Sequence, residues 1–263
     1  MSSTPIDIQP YPHARVIWSQ FDSHHAYVIQ PTTLVDPQRR WVWFTSCWHA
    51  VGNVIDTSPV QQSIITHRHY VTALLDSGFH VAGIDVGVTL GSPAGAEICR
   101  RFYQHVITAH NLNPRARTVF QSNGALIMYN WAAQHPDCVS HMLGIFPAVD
   151  LRSWPGLDRV CTGDVITYPE FRYPFSQSEL ESRLHDFNPI DRLRPLAAHH
   201  VKLFHVHGDA DELVPIDQHS IPLQHRYQQL GGEIEIEIIS GGVHADSADY
   251  YESNRARDFL LSD

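Results

Sequence analysis

Thr118-Val-Phe-Gln-Ser-Asn-Gly-Ala125 runs without a break into Leu126-Ile-Met-Tyr-Asn-Trp-Ala-Ala-Gln134, and the reading of this stretch decides the fold. Its opening residues read as a short apolar strand that stops at Gln121, and from Asn123 onward apolar residues recur at helical spacing. Ser122 therefore stands at a strand-to-helix corner. Such a corner holds a serine hydroxyl clear of a sheet, and small residues just after it let strand and helix approach closely. Gly124 and Ala125 supply that smallness. Against the spacing G-x-S-x-G, the position two before the serine is Phe120, so the motif is half present. Ser-Asn-Gly is also a common turn sequence, and the corner taken alone supports a nucleophile and an ordinary turn about equally.

On either side of the corner, strands alternate with helices. Ala14 to Gln20 and Ala26 to Gln30 predict a hairpin of antiparallel edge strands around Asp22-Ser23. Trp41-Val-Trp-Phe-Thr-Ser46 predicts a strand with the loop Cys47 to Gly52 behind it. Val60 to Ser77 predicts a helix stopped by Gly78. His80 to Val86 reads as a strand buried on both faces, and Ser92-Pro93 opens a helix to about Asn111. After the corner, Val139 to Phe146 predicts a strand. The rhythm then breaks over residues 151–200, where Trp154, Tyr168, Phe171, Tyr173 and Phe175 lie among turn residues; this reads as an aromatic-rich, lid-like insertion, with a short helix from Ser178 to Phe187, within a single domain spanning 1–263. Strand Val201–His207, helix Gln218–Leu230, strand Glu233–Ile239 and a last helix from about Ser247 to Leu261 complete the pattern. Alternation of this kind predicts a mostly parallel central sheet with helices on both faces, and function at the carboxyl ends of its strands.

Composition sets bounds on function. The chain has 263 residues, 43% of them apolar and 17% charged, which is enough to bury a core unaided. A formal charge of -10 disfavours nucleic acid or an anionic membrane as the main partner. The N-terminus shows no basic region leading into an apolar run, and the expectation is a cytoplasmic protein that needs no membrane. Cys47, Cys99, Cys138 and Cys161 have no CxxC spacing and read as reduced thiols. The 19 histidines are dispersed, so no metal site is expected, and no cofactor is implied.

Two later strand ends carry what a serine nucleophile needs. Gly208-Asp-Ala-Asp211-Glu-Leu-Val-Pro215 places an acid on a loop, and Ser240-Gly-Gly-Val-His244 presents an imidazole on a glycine-rich turn. Serine, acid, histidine is the chain order of a triad built on a parallel sheet. His244 would take the serine proton as base and return it as acid. Asp211 would hold the imidazole tautomer; Asp209 is the alternative acid, and the position of Asp211 before Val214-Pro215 favours it. The oxyanion donors would be the backbone N–H of Asn123 and one from Cys47 or Trp48. His205 and His207 read as buried or rim residues on one face of their strand, and Asp85 as a capping residue in preference to one that orients a loop or a substrate.

With these residues in place, the chain resembles the α/β-hydrolase superfamily, in its dienelactone-hydrolase and prolyl-oligopeptidase-like serine esterase branch. The resemblance extends from Trp41 to the last helix. It is carried by the corner with Tyr129-Asn-Trp-Ala132, by Phe146-Pro-Ala-Val-Asp150-Leu-Arg-Ser-Trp154-Pro-Gly156, by Asn188-Pro-Ile-Asp191-Arg-Leu-Arg-Pro-Leu196, and by Gly208 to Pro215. It implies an α/β-hydrolase fold and a serine hydrolase of a small carboxylic ester, including acyl esters of carbohydrates, with a small-molecule ester as partner. The family's elbow usually reads G-x-S-R-G-G, so Phe120, Asn123 and Ala125 depart from it. Phe120 is read as pointing into a substrate pocket, with Trp154 and Tyr173 of the insertion lining it. Two other functions stay open: a binding module that kept the fold while its elbow drifted, and, ranked lower because the chain lacks room for a propeller, a serine peptidase. The oligomeric state is not legible.

Overall fold

The structure, a computed structural model, describes residue 11 and residues 13–45 and 67–263. Eight strands form one sheet: β1 (Ala14–Phe21), β2 (His24–Pro31), β3 (Trp41–Thr45), β4 (His80–Ile84), β5 (Ala116–Gln121), β6 (Val139–Ile145), β7 (Lys202–Gly208) and β8 (Ile234–Ile239). Their spatial order is β1-β2-β4-β3-β5-β6-β7-β8. The hairpin β1–β2 is antiparallel, β2 joins β4 antiparallel, and every pair from β4 to β8 is parallel. The expected pairing of β1 with β2 is present, but of the two only β1 is an edge strand; β2 is hydrogen-bonded on both sides, which its nearly continuous burial, His24 and Ala26 to Ile29 included, requires.

The period-2 alternation of the strands divides the core between two faces. Trp41, Trp43, Ala82, Phe120, Met142 and Leu203 point to one side and pack under the helices Pro93–His110 and Gly124–Gln134. Val42, Phe44, Val81, Val119, Leu143 and Phe204 point to the other, under the helices Arg68–Asp76 and Asn254–Leu261. The helix after the corner is apolar all round, with Gly124 to Ala133 buried. Trp131 meets Trp43 edge-on at 5.0 Å. Such a helix is stable only when covered on every side, and burial of both rings holds the helix that follows Ser122 against β3.

Element ends follow local chemistry. Ser92 accepts the N–H of Gly95 and Pro93 occupies the first turn, as the sequence predicts. The predicted Ser247–Leu261 helix is two pieces, Ala248–Tyr251 and Asn254–Leu261. Ser253 is extended, and its Oγ accepts Ala256 N–H at 3.0 Å, so it starts a new helix where a continuous one was expected. The predicted Ser178–Phe187 helix likewise breaks at Arg183, which leaves Gln177–Ser182 and Leu184–Phe187. Only the last part of the Val60–Ser77 helix, Arg68–Asp76, falls on described residues. Residues 151–200 form short helices and turns whose apolar residues, including Leu151, Val160, Tyr173, Leu180 and Leu184, pack with Leu90, Leu126 and Val214. Cys99, Cys138 and Cys161 have free thiols; Cys47 lies outside the described residues. No helix among the described residues is long and apolar enough to cross a membrane.

The histidine content has an energetic consequence. His67, His80, His141, His205 and His219 are each 3% exposed or less. Desolvation is the first cause pushing His67, His141 and His205 down to about 3, and His80 and His219 down to about 4. The unfolded chain protonates these rings near pH 6.5, while the folded chain keeps them neutral. Their contribution is complete above about pH 6.5 and is lost as pH falls toward the folded values, at about 1.4 kcal/mol per ring and pH unit. Domains hold only about 5–15 kcal/mol in all. The midpoint of urea unfolding is therefore expected to drop steeply between about pH 7 and pH 5.5. A flat midpoint over that interval would mean that the rings take up protons while folded.

Candidate active site

Ser122 sits between the end of β5 at Gln121 and the helix that starts at Gly124, with φ at +49°. A non-glycine residue in the left-handed region costs of order 1 kcal/mol or more, and it is retained where its neighbours over-determine it. Those neighbours are visible: Ser122 N–H donates to Ile145 O at 3.0 Å, and Ser122 O accepts Ala148 N–H at 3.0 Å and Ala125 N–H at 3.1 Å. The corner thus turns its hydroxyl out at the carboxyl end of the sheet, where β7 and β8 bring two more loops.

Ser122 Oγ lies 2.8 Å from His244 Nε2, and His244 Nδ1 donates to Asp211 Oδ2 at 2.7 Å. A carboxylate only accepts, so the imidazole proton sits on Nδ1 and the Nε2 lone pair faces the serine hydroxyl, which donates to it. Asp211 Oδ1 accepts Leu213 N–H at 3.0 Å and Val214 N–H at 2.8 Å. Burial alone would raise the Asp211 carboxyl; hydrogen bonds from His207, His244 and Val214 outweigh it and hold the acid well below the usual carboxylate range. Asp211 is therefore ionised while 5% exposed. The Ser122 and His244 side chains remain slightly accessible, His244 at 11%.

Asp209, the alternative acid, has another task. Its Oδ1 accepts Gly241 N–H at 2.6 Å, and Ala210 N–H donates to Gly242 O at 3.0 Å, which ties the acid loop to the histidine loop. The two backbones meet so closely that a Cβ on Gly208 would lie 2.1 Å from Gly242 O and 2.2 Å from the Tyr250 hydroxyl. Only glycine fits there.

Comparison with protein-family models gives no match, and comparison with curated protein sequences gives none either. Solved structures do match. A truncated carbohydrate esterase from gut microbiota superposes with a TM-score of 0.67 at 15% identity, covering 95% of this chain and 96% of that one. Carboxyl esterase 2 from the mycorrhizal fungus Tuber melanosporum gives 0.62 at 16% identity, covering 95% and 85%. Dipeptidyl peptidase 4 from Porphyromonas gingivalis gives 0.65 at 14% identity over 94% of this chain. The chain spans only 35% of the length of that peptidase. The strand order, the corner at the end of β5 and these superpositions agree. This chain has the α/β-hydrolase fold.

Within this α/β-hydrolase fold the structure brings Ser122, Asp211 and His244 together. Asn123 is the N-cap of the helix behind the serine, at its positive end. Cys47 and Trp48 lie outside the described residues. Phe120 requires a correction as a substrate contact: it is fully buried, edge-on to Tyr129 at 5.4 Å and against Gly144, because alternate residues of β5 face opposite sides of the sheet and its side is the core. Tyr173 is corrected likewise, since it is 4% exposed and donates its hydroxyl to Leu90 O at 2.9 Å. Trp154 is half-buried against the same apolar cluster.

Three contributors escaped the sequence reading. Phe146, at the end of β6 with φ at +34°, places its ring 4.5 Å from the His244 imidazole. Gln121 Nε2 donates to Asp246 Oδ1 at 3.1 Å, which links the corner to the histidine loop. His207 Nε2 lies 3.5 Å from Asp211 Oδ2. The one available signal was position, since each lies at or next to the carboxyl end of a parallel strand.

Proposed function

We propose that this chain is a serine hydrolase of small carboxylic esters that works through an acyl-enzyme. The observation that carries the reading is the continuous array from Ser122 Oγ through His244 to the buried, ionised Asp211. In the first step His244 Nε2 takes the hydroxyl proton as Ser122 Oγ bonds to the ester carbonyl carbon. The carbonyl oxygen becomes an oxyanion, for which the proposed donors are the backbone N–H of Asn123 and one from Cys47 or Trp48. Collapse of the intermediate breaks the bond to the alcohol oxygen, and His244 gives that oxygen its proton. Water then loses a proton to His244 and attacks the acyl carbon; the acid leaves, and the proton returns to Ser122. Asp211 stays ionised throughout and steadies the imidazolium at both proton transfers.

A carbohydrate acyl ester is the favoured substrate class. Support comes from the esterase likeness over nearly the full length of both chains and from the aromatic residues of the 151–200 insertion, which we assign as a lid, with Trp154 as its contact to substrate. A panel pairing p-nitrophenyl acetate and acetylated sugars with Xaa-Pro anilides separates ester from peptide chemistry. Turnover is expected on the acetyl esters, with none on the anilides. Anilide cleavage without ester cleavage would overturn the assignment in favour of a peptidase, and silence on both would favour a binding module.

A further inference from the structure

Behind the acid runs a line of buried polar side chains that the reaction above does not use. Tyr129, on the helix after the corner, has its hydroxyl 2.8 Å from His205 Nε2. His205 Nδ1 is 2.8 Å from Ser220 Oγ, and the same Oγ is 2.7 Å from His207 Nδ1. His207 Nε2 is 2.8 Å from Val214 O and 3.5 Å from Asp211 Oδ2, the oxygen that also accepts from His244. Tyr129 is 1% exposed, and His205, Ser220 and His207 are fully buried.

The direction of every bond is set from one end. A backbone carbonyl cannot donate, so the proton between His207 and Val214 belongs to His207 Nε2. If the ring carries only that proton, Nδ1 offers a lone pair, which must accept from Ser220. The serine hydroxyl has one proton and has spent it, so it accepts from His205 Nδ1–H. That leaves a lone pair on His205 Nε2, which accepts the phenol proton of Tyr129. His207 Nε2–H is shared between Val214 O at 2.8 Å and the more distant Asp211 Oδ2 at 3.5 Å; every other donor and acceptor in the line is used once and none conflicts, as a buried network requires. Desolvation above all holds His205 neutral and the Tyr129 phenol protonated, in keeping with this order.

We propose that Tyr129, His205, Ser220 and His207 form a proton-ordered relay that fixes the His207 tautomer, so that its Nε2–H braces the Asp211 carboxylate against His244. The four are positioning residues, and the proposal rests on the reading of Ser122, His244 and Asp211 as a triad. Were the tautomer of His207 to invert, a lone pair would face both Val214 O and Asp211 Oδ2, and the carboxylate would turn away from that repulsion. A displacement of the acid by a fraction of an ångström is enough to misalign the base.

The test joins tautomer and turnover. Nitrogen-15 NMR of histidine-labelled protein, with His207 assigned by loss of its signals in His207→Gln, is expected to show protonation at Nε2 alone, and a mixture of tautomers in Ser220→Ala. With p-nitrophenyl acetate, Ser220→Ala is expected to lower kcat about tenfold with KM changed less than about twofold. In a His207→Gln background, whose amide has no ring tautomer to fix, the same replacement is expected to change kcat less than about twofold. Protonation of wild-type His207 at Nδ1, or at both nitrogens, overturns the relay, as does an equal cost of Ser220→Ala in both backgrounds. The wild-type tautomer decides the matter even if a variant fails to fold. If wild type turns over no ester while the His207 tautomer still responds to Ser220→Ala, the relay stands and the hydrolase reading falls.

Discussion

Replacing Ser122 by alanine is expected to reduce kcat on an activated ester by about 10⁵-fold to 10⁶-fold, measured under saturating p-nitrophenyl acetate. The loss is this large because the acyl-enzyme cannot form, and among the described residues Ser122 is the nucleophile hydrogen-bonded to His244. Stability should barely change, since the lost contact is a single hydrogen bond to His244. Ser122→Gly separates chemistry from strain. It is expected to be as inactive as the alanine variant yet more stable than wild type by about 1 kcal/mol, because glycine occupies φ of +49° without the steric cost of a Cβ. If the glycine variant were no more stable, the corner would not be storing strain at Ser122.

Asp211→Asn is expected to lower kcat by about 10⁴-fold with the overall fold retained. The amide oxygen can still accept the N–H groups of Leu213 and Val214. Its nitrogen then points N–H groups at His244 Nδ1 and His207 Nε2, where protons already stand. His244 escapes by moving its proton to Nε2, the atom that must be free to accept from Ser122. Asp209→Asn is the matched control. Its carboxylate accepts from Gly241 N–H and makes no hydrogen bond to His244, so kcat should stay near wild type. A large loss in Asp209→Asn with little loss in Asp211→Asn would exchange the roles of the two acids.

Much of this was legible in the sequence because it depends on local pattern. The apolar runs of β3 to β7 announce strands buried on both faces, and the order Ser122, Asp211, His244 after β5, β7 and β8 follows from connection rules that leave few topologies. What stayed hidden depends on which way a side chain faces or on a contact between distant segments. Phe120 interrupts a motif and so suggests a pocket residue; the pleat of β5 sends it into the core, under Tyr129 and beside Gly144. Its bulk is accommodated in the core by Tyr129 and Gly144 while Ser122 Oγ still lies 2.8 Å from His244 Nε2, so a departure at that position leaves the serine's geometry intact. The alternation of β7 puts His205 and His207 on one face, yet their joint partner, Ser220, lies on the next helix. The break at Ser253 was missed because serine is tolerated inside a helix as well as at its start, and only the bond to Ala256 N–H shows which applies.

The account turns on Ser122 being a nucleophile activated in the folded chain, and covalent labelling tests that most directly. Incubation of the native protein with a fluorophosphonate probe, followed by mass spectrometry of the digested peptides, is expected to place one adduct on Ser122, absent from Ser122→Ala and from heat-denatured protein. Folded wild-type protein that carries no adduct at Ser122, or carries it on a different residue, would contradict the account.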